Sequence, residues 1–115
     1  MTTLKEMVDL TSKSVFDYLD QTAEVPQIDG AAAQGDVLVL RVTAKPATTP
    51  MPACVIAVAS EASSNTHTMH PNGPCFFDRR ETPSPADLVL GVLTVPAGST
   101  AFLSHQEHGG LEILP

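Results

Sequence analysis

The stretch Asp36-Val37-Leu38-Val39-Leu40-Arg41-Val42-Thr43, entered through Gly35, sets the reading of the whole chain. Val and Leu dominate it, and such residues suit the pleated, half-buried surface of a strand. Residues 53–60 and 86–95 have the same character, and 75–77, 100–104 and 111–114 supply shorter runs. Between them, Pro46, Pro50 and Pro52 predict an extended loop, because proline disfavours a helical residue before it. The polar stretch 60–74 reads as turn-rich and closes on Pro71-Asn72-Gly73-Pro74, and Pro96-Ala97-Gly98-Ser99 marks another turn. Strands at this spacing, with no second helix, predict a mainly β domain: a small β-barrel or sandwich with one N-terminal helix.

That helix is signalled by Leu4, Met7, Val8, Thr11, Val15, Tyr18 and Leu19, which recur at three- and four-residue steps and so share one helical face. Thr3 followed by Glu6 fits a capping box. Thr11-Ser12-Lys13-Ser14 works against helix, since these hydroxyls compete for backbone hydrogen bonds. Pro26 sets the far limit, and residues 24–34 carry no clear period and read as a connector. The chain therefore divides into a helix and connector arm over 1–34 and a β domain over 35–115. The arm and its junction are acidic: Glu6, Asp9, Asp17, Asp20, Glu24, Asp29 and Asp36 stand against Lys5 and Lys13. Such an arm is expected to present a solvated acidic face or to dock on a neighbouring subunit through Leu4, Met7, Val8, Val15 and Leu19.

Composition excludes several classes. Thirteen acidic against six basic residues in 115 give a net charge of −7, which leaves no electrostatic footprint for nucleic acid or an anionic membrane. The longest apolar run, residues 53–59, falls far short of the roughly 20 residues of a membrane helix. Lys5, Glu6 and Asp9 interrupt any secretory apolar region, so a cytoplasmic or virion location is expected. Two cysteines are too few for a disulfide scaffold. Cys54, inside an apolar run, reads as a small buried hydrophobe. A single disulfide to Cys75 is the lesser alternative.

All four histidines fall in two pairs of equal step, His67-Thr68-Met69-His70 and His105-Gln106-Glu107-His108, each beside turn residues. Imidazole is the commonest protein ligand for transition metals. His67, His70, His105 and His108, with Glu107 as a carboxylate, are therefore the candidate metal set, and zinc or iron the metals it would take. On a strand, however, a step of three sends two rings to opposite faces, and only a turn lets both converge. Loop histidines that hydrogen-bond backbone and fix turns, and a contact that charges near pH 6, are the competing readings. Arg79-Arg80 suits a carboxylate, a phosphate or an intersubunit ion pair. The nucleophile elbow, phosphate loop and dinucleotide fingerprint are all missing from the sequence.

Two resemblances arise at these residues. Gly91-Val92-Leu93-Thr94-Val95-Pro96-Ala97-Gly98 followed by His105 resembles the second cupin motif, a pattern that implies a β-barrel with a histidine-bound metal. Gly35-Asp36-Val37-Leu38, then Ala59-Ser60-Glu61 ahead of a histidine pair, then His105-Gln106-Glu107-His108-Gly109 and Leu111-Glu112-Ile113-Leu114-Pro115, resembles a family of small uncharacterised bacterial and phage-encoded proteins. That second likeness implies β-rich architecture.

The expectation drawn from the whole is a non-catalytic structural or interaction protein. Four Phe, one Tyr and no Trp make a modest aromatic core, which contacts with other subunits would supplement. Its partners would be protein subunits, in a homo-oligomer or capsid-like assembly, and its specific form a phage-type virion accessory (decoration or cement) protein. The alternative is a cupin-like metal-binding protein or metal-dependent enzyme.

Overall fold

A computed structural model describes residues 2–13, 15, 19–35, 37–58, 66–80 and 89–115. Among these described residues, one helix, α1 (Leu4–Thr11), precedes nine strands: β1 (Gln27–Ile28), β2 (Ala31–Gln34), β3 (Val37–Leu40), β4 (Val55–Val58), β5 (His67–Asn72), β6 (Phe76–Arg79), β7 (Gly91–Thr94), β8 (Thr100–His105) and β9 (Gly109–Ile113). The fold is mainly β, as the strand runs predict. Its sheets are not closed into a barrel but layered like a sandwich. Five strands form the central sheet in the order β1-β9-β8-β5-β4, and β2–β3 and β6–β7 are separate antiparallel hairpins. Tyr18, Asp36, residues 59–65 and residues 81–88, to which parts of the helix and strand expectations extended, lie outside the described residues.

Alternation along the central strands builds two cores. Ala101, Leu103, Leu111, Ile113 and Met69 face one way, under Val37, Cys75 and the half-buried Val39, Phe77 and Leu93 of the hairpin layer. Phe102 faces the other way and meets Leu4, Met7, Val15 and Val25, with Val8 and Leu19 packed alongside. The apolar helical face proposed for docking on a neighbouring subunit thus packs inside its own chain. Met7 is fully buried, and it lies so close over Gly110 that any Cβ there would strike its sulfur and methyl.

The helix is shorter than its periodicity suggests. The capping box forms: the Thr3 hydroxyl accepts from the Glu6 N–H at 3.2 Å, and the Glu6 carboxylate accepts from the Thr3 N–H at 3.3 Å. The remaining free amides are met by the returning chain, Leu4 N–H donating to Ala23 O and Lys5 N–H to Gln21 O. At the other end Thr11 Oγ1 donates back to Met7 O, and Ser12 turns left-handed at φ 58°. The hydroxyl patch that argued against helix is where it stops.

Two stretches differ from expectation. Residues 24–34, expected to be a connector, contain β1, parallel to β9, and β2, paired with β3. Stretch 60–74, expected to be turn-rich, contains β5, which pairs with both β4 and β8. Its polar side chains hid it: His67, Thr68 and His70 are all buried, each with a hydrogen-bond partner. Pro71 is tolerated because β4 begins opposite Met69, leaving Pro71 beside β8 alone. The proline-rich segment runs extended along β6, with Met51 N–H donating to Cys75 O and Phe77 N–H to Thr49 O. Cys54, expected to be buried, is exposed just ahead of β4. Cys75 is the buried one, and both thiols are free.

Met7→Ala should destabilise the fold by about 2–5 kcal/mol, the range for emptying a buried Met site. Urea unfolding followed by circular dichroism measures it. A loss below 0.5 kcal/mol, to order of magnitude, would mean that helix α1 does not contribute to the core as its burial requires.

Candidate functional site

The structure brings three of the four histidines together and holds the fourth apart. The His67 and His105 ring centroids lie 4.4 Å apart, those of His105 and His108 4.6 Å, and those of His67 and His108 6.5 Å. His67 ends β5 nearest the turn, His105 ends β8, and His108 closes the tight turn into β9. His70, three residues beyond His67 on the same strand, falls on the opposite face, as strand alternation demands. Glu107 is exposed in the turn and gives its backbone N–H to the cluster.

The protons in this cluster follow from its partners. The side-chain amide of Gln34 donates to Leu103 O at 3.0 Å and Gly109 O at 3.4 Å, so its oxygen faces His67 Nδ1 at 2.9 Å. An amide oxygen only accepts, so His67 carries its proton on Nδ1. His105 Nδ1 accepts instead, from the backbone N–H groups of Glu107 at 3.1 Å and His108 at 3.2 Å. The neutral His105 ring therefore has its proton on Nε2. His105 thereby pins the 106–108 turn, and Thr66 N–H donates to Gln106 Oε1 to tie that turn to the start of β5.

These assignments bear on metal binding. A ligating imidazole normally donates its second N–H to a fixed acceptor. His67 does so, while His105 has its Nδ1 lone pair turned to two donors. Among the described residues, no three His, Cys, Asp or Glu side chains are arranged to hold a metal ion.

Gln34 and Gly35, which the sequence reading did not connect with the histidines, are what hold the cluster. Gln34 is buried at the end of β2, with both ends of its amide used. Gly35 has φ +59°, and a Cβ there would lie 2.9 Å from the His108 ring. The turn of the β2–β3 hairpin thus lies directly on the histidine cluster. Gly35 was legible as a strand entry, whereas nothing in the local pattern marks Gln34 as its anchor.

His70 is buried on the helix side. Its Nδ1 donates to Ala53 O at 3.0 Å, and its Nε2 accepts from the Thr68 hydroxyl at 2.9 Å. Burial lowers its pKa from the ordinary 6.5; the Ala53 carbonyl opposes this, and the Lys13 ammonium adds to it. Arg79 donates to the Ile56 carbonyl on β4 and sits 5.6 Å from the centre of the Phe77 ring. Arg80 is exposed and gives its N–H to Leu90 O.

The chain belongs to a family defined by a domain of unknown function (DUF8820), whose model matches residues 33–115. The match takes in Gln34, Gly35 and all four histidines, and begins after helix α1. No curated protein and no solved structure matches the chain.

Two outcomes are expected. Gly35→Ala should cost about 1–2 kcal/mol for the left-handed backbone alone, plus a steric part from His108. Combining it with His108→Ala in a double-mutant cycle should recover only the steric part, and strict additivity would mean that the turn does not press on the ring. For His70, the folded state resists protonation more than the unfolded chain. Its contribution to stability is therefore whole above about pH 6.5 and lost as pH falls below that, towards its lowered folded pKa. His70→Asn should flatten that part of the profile of melting temperature between pH 7 and 5. An unchanged slope would show that His70 is not held neutral.

Proposed function

We propose that this protein is a non-catalytic structural or interaction protein that works in an assembly of its own copies. The observation that carries this reading is the outer face of the β2–β3 hairpin. Strand β3 alternates, with Val37 and Val39 turned to the core and Leu38 and Leu40 turned outward at 61% and 57% exposure. Val42, just beyond, is 65% exposed. Opposite Leu38 and Leu40 in register stand Ala33 and Ala31, also exposed. An apolar strand pair clad on one side only is built like one that is covered on both. Exposed apolar patches of this kind mark protein contact surfaces in soluble domains.

Its inner side supports the same reading. The hairpin turn is fixed to the body by Gln34, so the outer face is presented on a rigid mount. His67 holds Gln34 and His105 holds the 106–108 turn, which supports an architectural role for these two rings. The specific form we favour is a virion accessory protein of the decoration or cement type. A small acidic body with one uncharged face suits attachment to a protein shell and repels nucleic acid.

Native mass spectrometry of the full chain tests the reading. A defined homo-oligomer is expected at micromolar concentration, and Leu38→Asp with Leu40→Asp should give a monomer with an unchanged far-ultraviolet spectrum. Both positions are exposed within one chain, so the substitutions leave the fold intact. A wild-type protein that stays monomeric across the concentration range overturns the self-assembly reading. Mass lost to a chelator would instead favour the metal-binding alternative.

A further inference from the structure

On the helix side of the sheet, past the end of the Phe102 core, lies a cleft of about 380 Å³. It is lined by Ser12, Lys13, Ile56, Thr66, Thr68, Ser104, His105 and Gln106. Thr68 and Ser104 are register partners on β5 and β8 and form its floor, with both residues buried. Lys13 stands at the cleft because the left-handed turn at Ser12 ends α1 there.

The chain has more than twice as many acidic as basic residues, yet the described lining residues include a lysine and no carboxylate. Four hydroxyls and a side-chain amide accompany the ammonium group, while the His105 ring itself turns to the other face of the sheet with His67. Hydroxyls and amides can turn donors towards a ligand, and lysine can only donate. Ile56, 53% exposed, supplies an apolar flank. The Lys13 charge is also felt beneath the floor, where it adds to the forces that keep His70 neutral. The cleft volume lies in the range of small-molecule sites, roughly 300–1,000 Å³.

We propose that this cleft binds a small oxyanion, a carboxylate or a phosphate, through Lys13 and the Ser104 hydroxyl of its floor. Lys13 supplies the charge, and Ser104 supplies a directed hydrogen bond to an anion oxygen. Thr68 gives its one proton to His70 Nε2, so it shapes the floor without donating to the anion. Ser104 is therefore the floor residue that donates without cost to the fold.

The experiment is a ¹⁵N-correlated NMR titration of the full chain at pH 7.5, with sodium phosphate in one arm and sodium acetate in another. Sodium chloride at matched ionic strength is the control. Saturable shifts of the Lys13, Thr68, Ser104 and His105 amides are expected with at least one oxyanion, at or below about 10 mM. The arm that saturates tells whether phosphate or carboxylate is the preferred source. Lys13→Gln should weaken binding about tenfold or more, the size of one charge-assisted hydrogen bond. Ser104→Ala should weaken it by less, with the rest of the spectrum unchanged in both variants. Shifts equal to the chloride control, or a Lys13→Gln protein that titrates like wild type, overturn the proposal. So does saturation confined to amides outside the cleft.

Discussion

The two-residue alternation of β5 and β8 is the constraint on which the rest of the molecule depends. These strands lie inside the sheet, so the side chains of residues 67–70 and 101–105 enter one cover or the other. Met69 and Leu103 require the hairpin layer, and Phe102 requires the helix. Each such side chain contributes about 1.5–3 kcal/mol by leaving water. Neither cover can be dispensed with at that scale, because a domain's net stability is only of order 5–15 kcal/mol. The span matched by the family model starts at residue 33, whereas Leu4, Met7, Val15 and Val25, which cover Phe102, all precede it. The matched span therefore carries one face of its sheet that residues outside it must close.

The same alternation decides which histidines meet. His67 and His70 look like a matched pair in the sequence, but three steps along a strand separate their rings across the sheet. His105 and His108 have the same spacing, yet the turn between β8 and β9 folds them back to ring contact at 4.6 Å. Three of the four rings are given a fixed protonation site by their neighbours: Gln34 sets His67, two backbone amides set His105, and Ala53 sets His70. Polar groups in the middle of a sheet are costly when unpaired and specifying when paired. The described buried side chains leave no polar atom without a partner.

What was legible in the sequence follows the same division. Strands whose burial rests on Val, Leu, Ile or Phe, such as β3, β4, β8 and β9, announced themselves, and so did the Thr3–Glu6 cap, because its chemistry is local. Strand β5 did not, since His-Thr-Met-His-Pro-Asn has neither an apolar run nor a polar–apolar alternation. Its burial depends on partners distant in sequence, among them Ala53, 17 residues from His70, Gln34, 33 residues from His67, and Phe102 across the sheet. Strand β2 is mostly alanine, which favours helix when alone, and only pairing with β3 makes it extended. The histidine spacing pointed to a cluster, but its membership and the part played by Gln34 depend on tertiary register, which no local pattern encodes.

The β2–β3 hairpin joins these threads. One strand of alternating Val and Leu supplies core on one side and an uncovered apolar face on the other. A two-stranded hairpin is at best marginally stable by itself, so this one must be held by its inner face and its turn. The inner face gives Val37 and Val39 to the core, and the turn is fixed through Gln34 to the backbone of Leu103 and Gly109. Arg41 secures the open end by donating to Asp29 O and Pro115 O. With both ends tied, the outer Leu38 and Leu40 cannot turn inward without breaking register, since a one-residue slip would exchange them with Val37 and Val39. Their exposure is thus a fixed property of the fold, and an apolar surface held out in this way is one that association would cover.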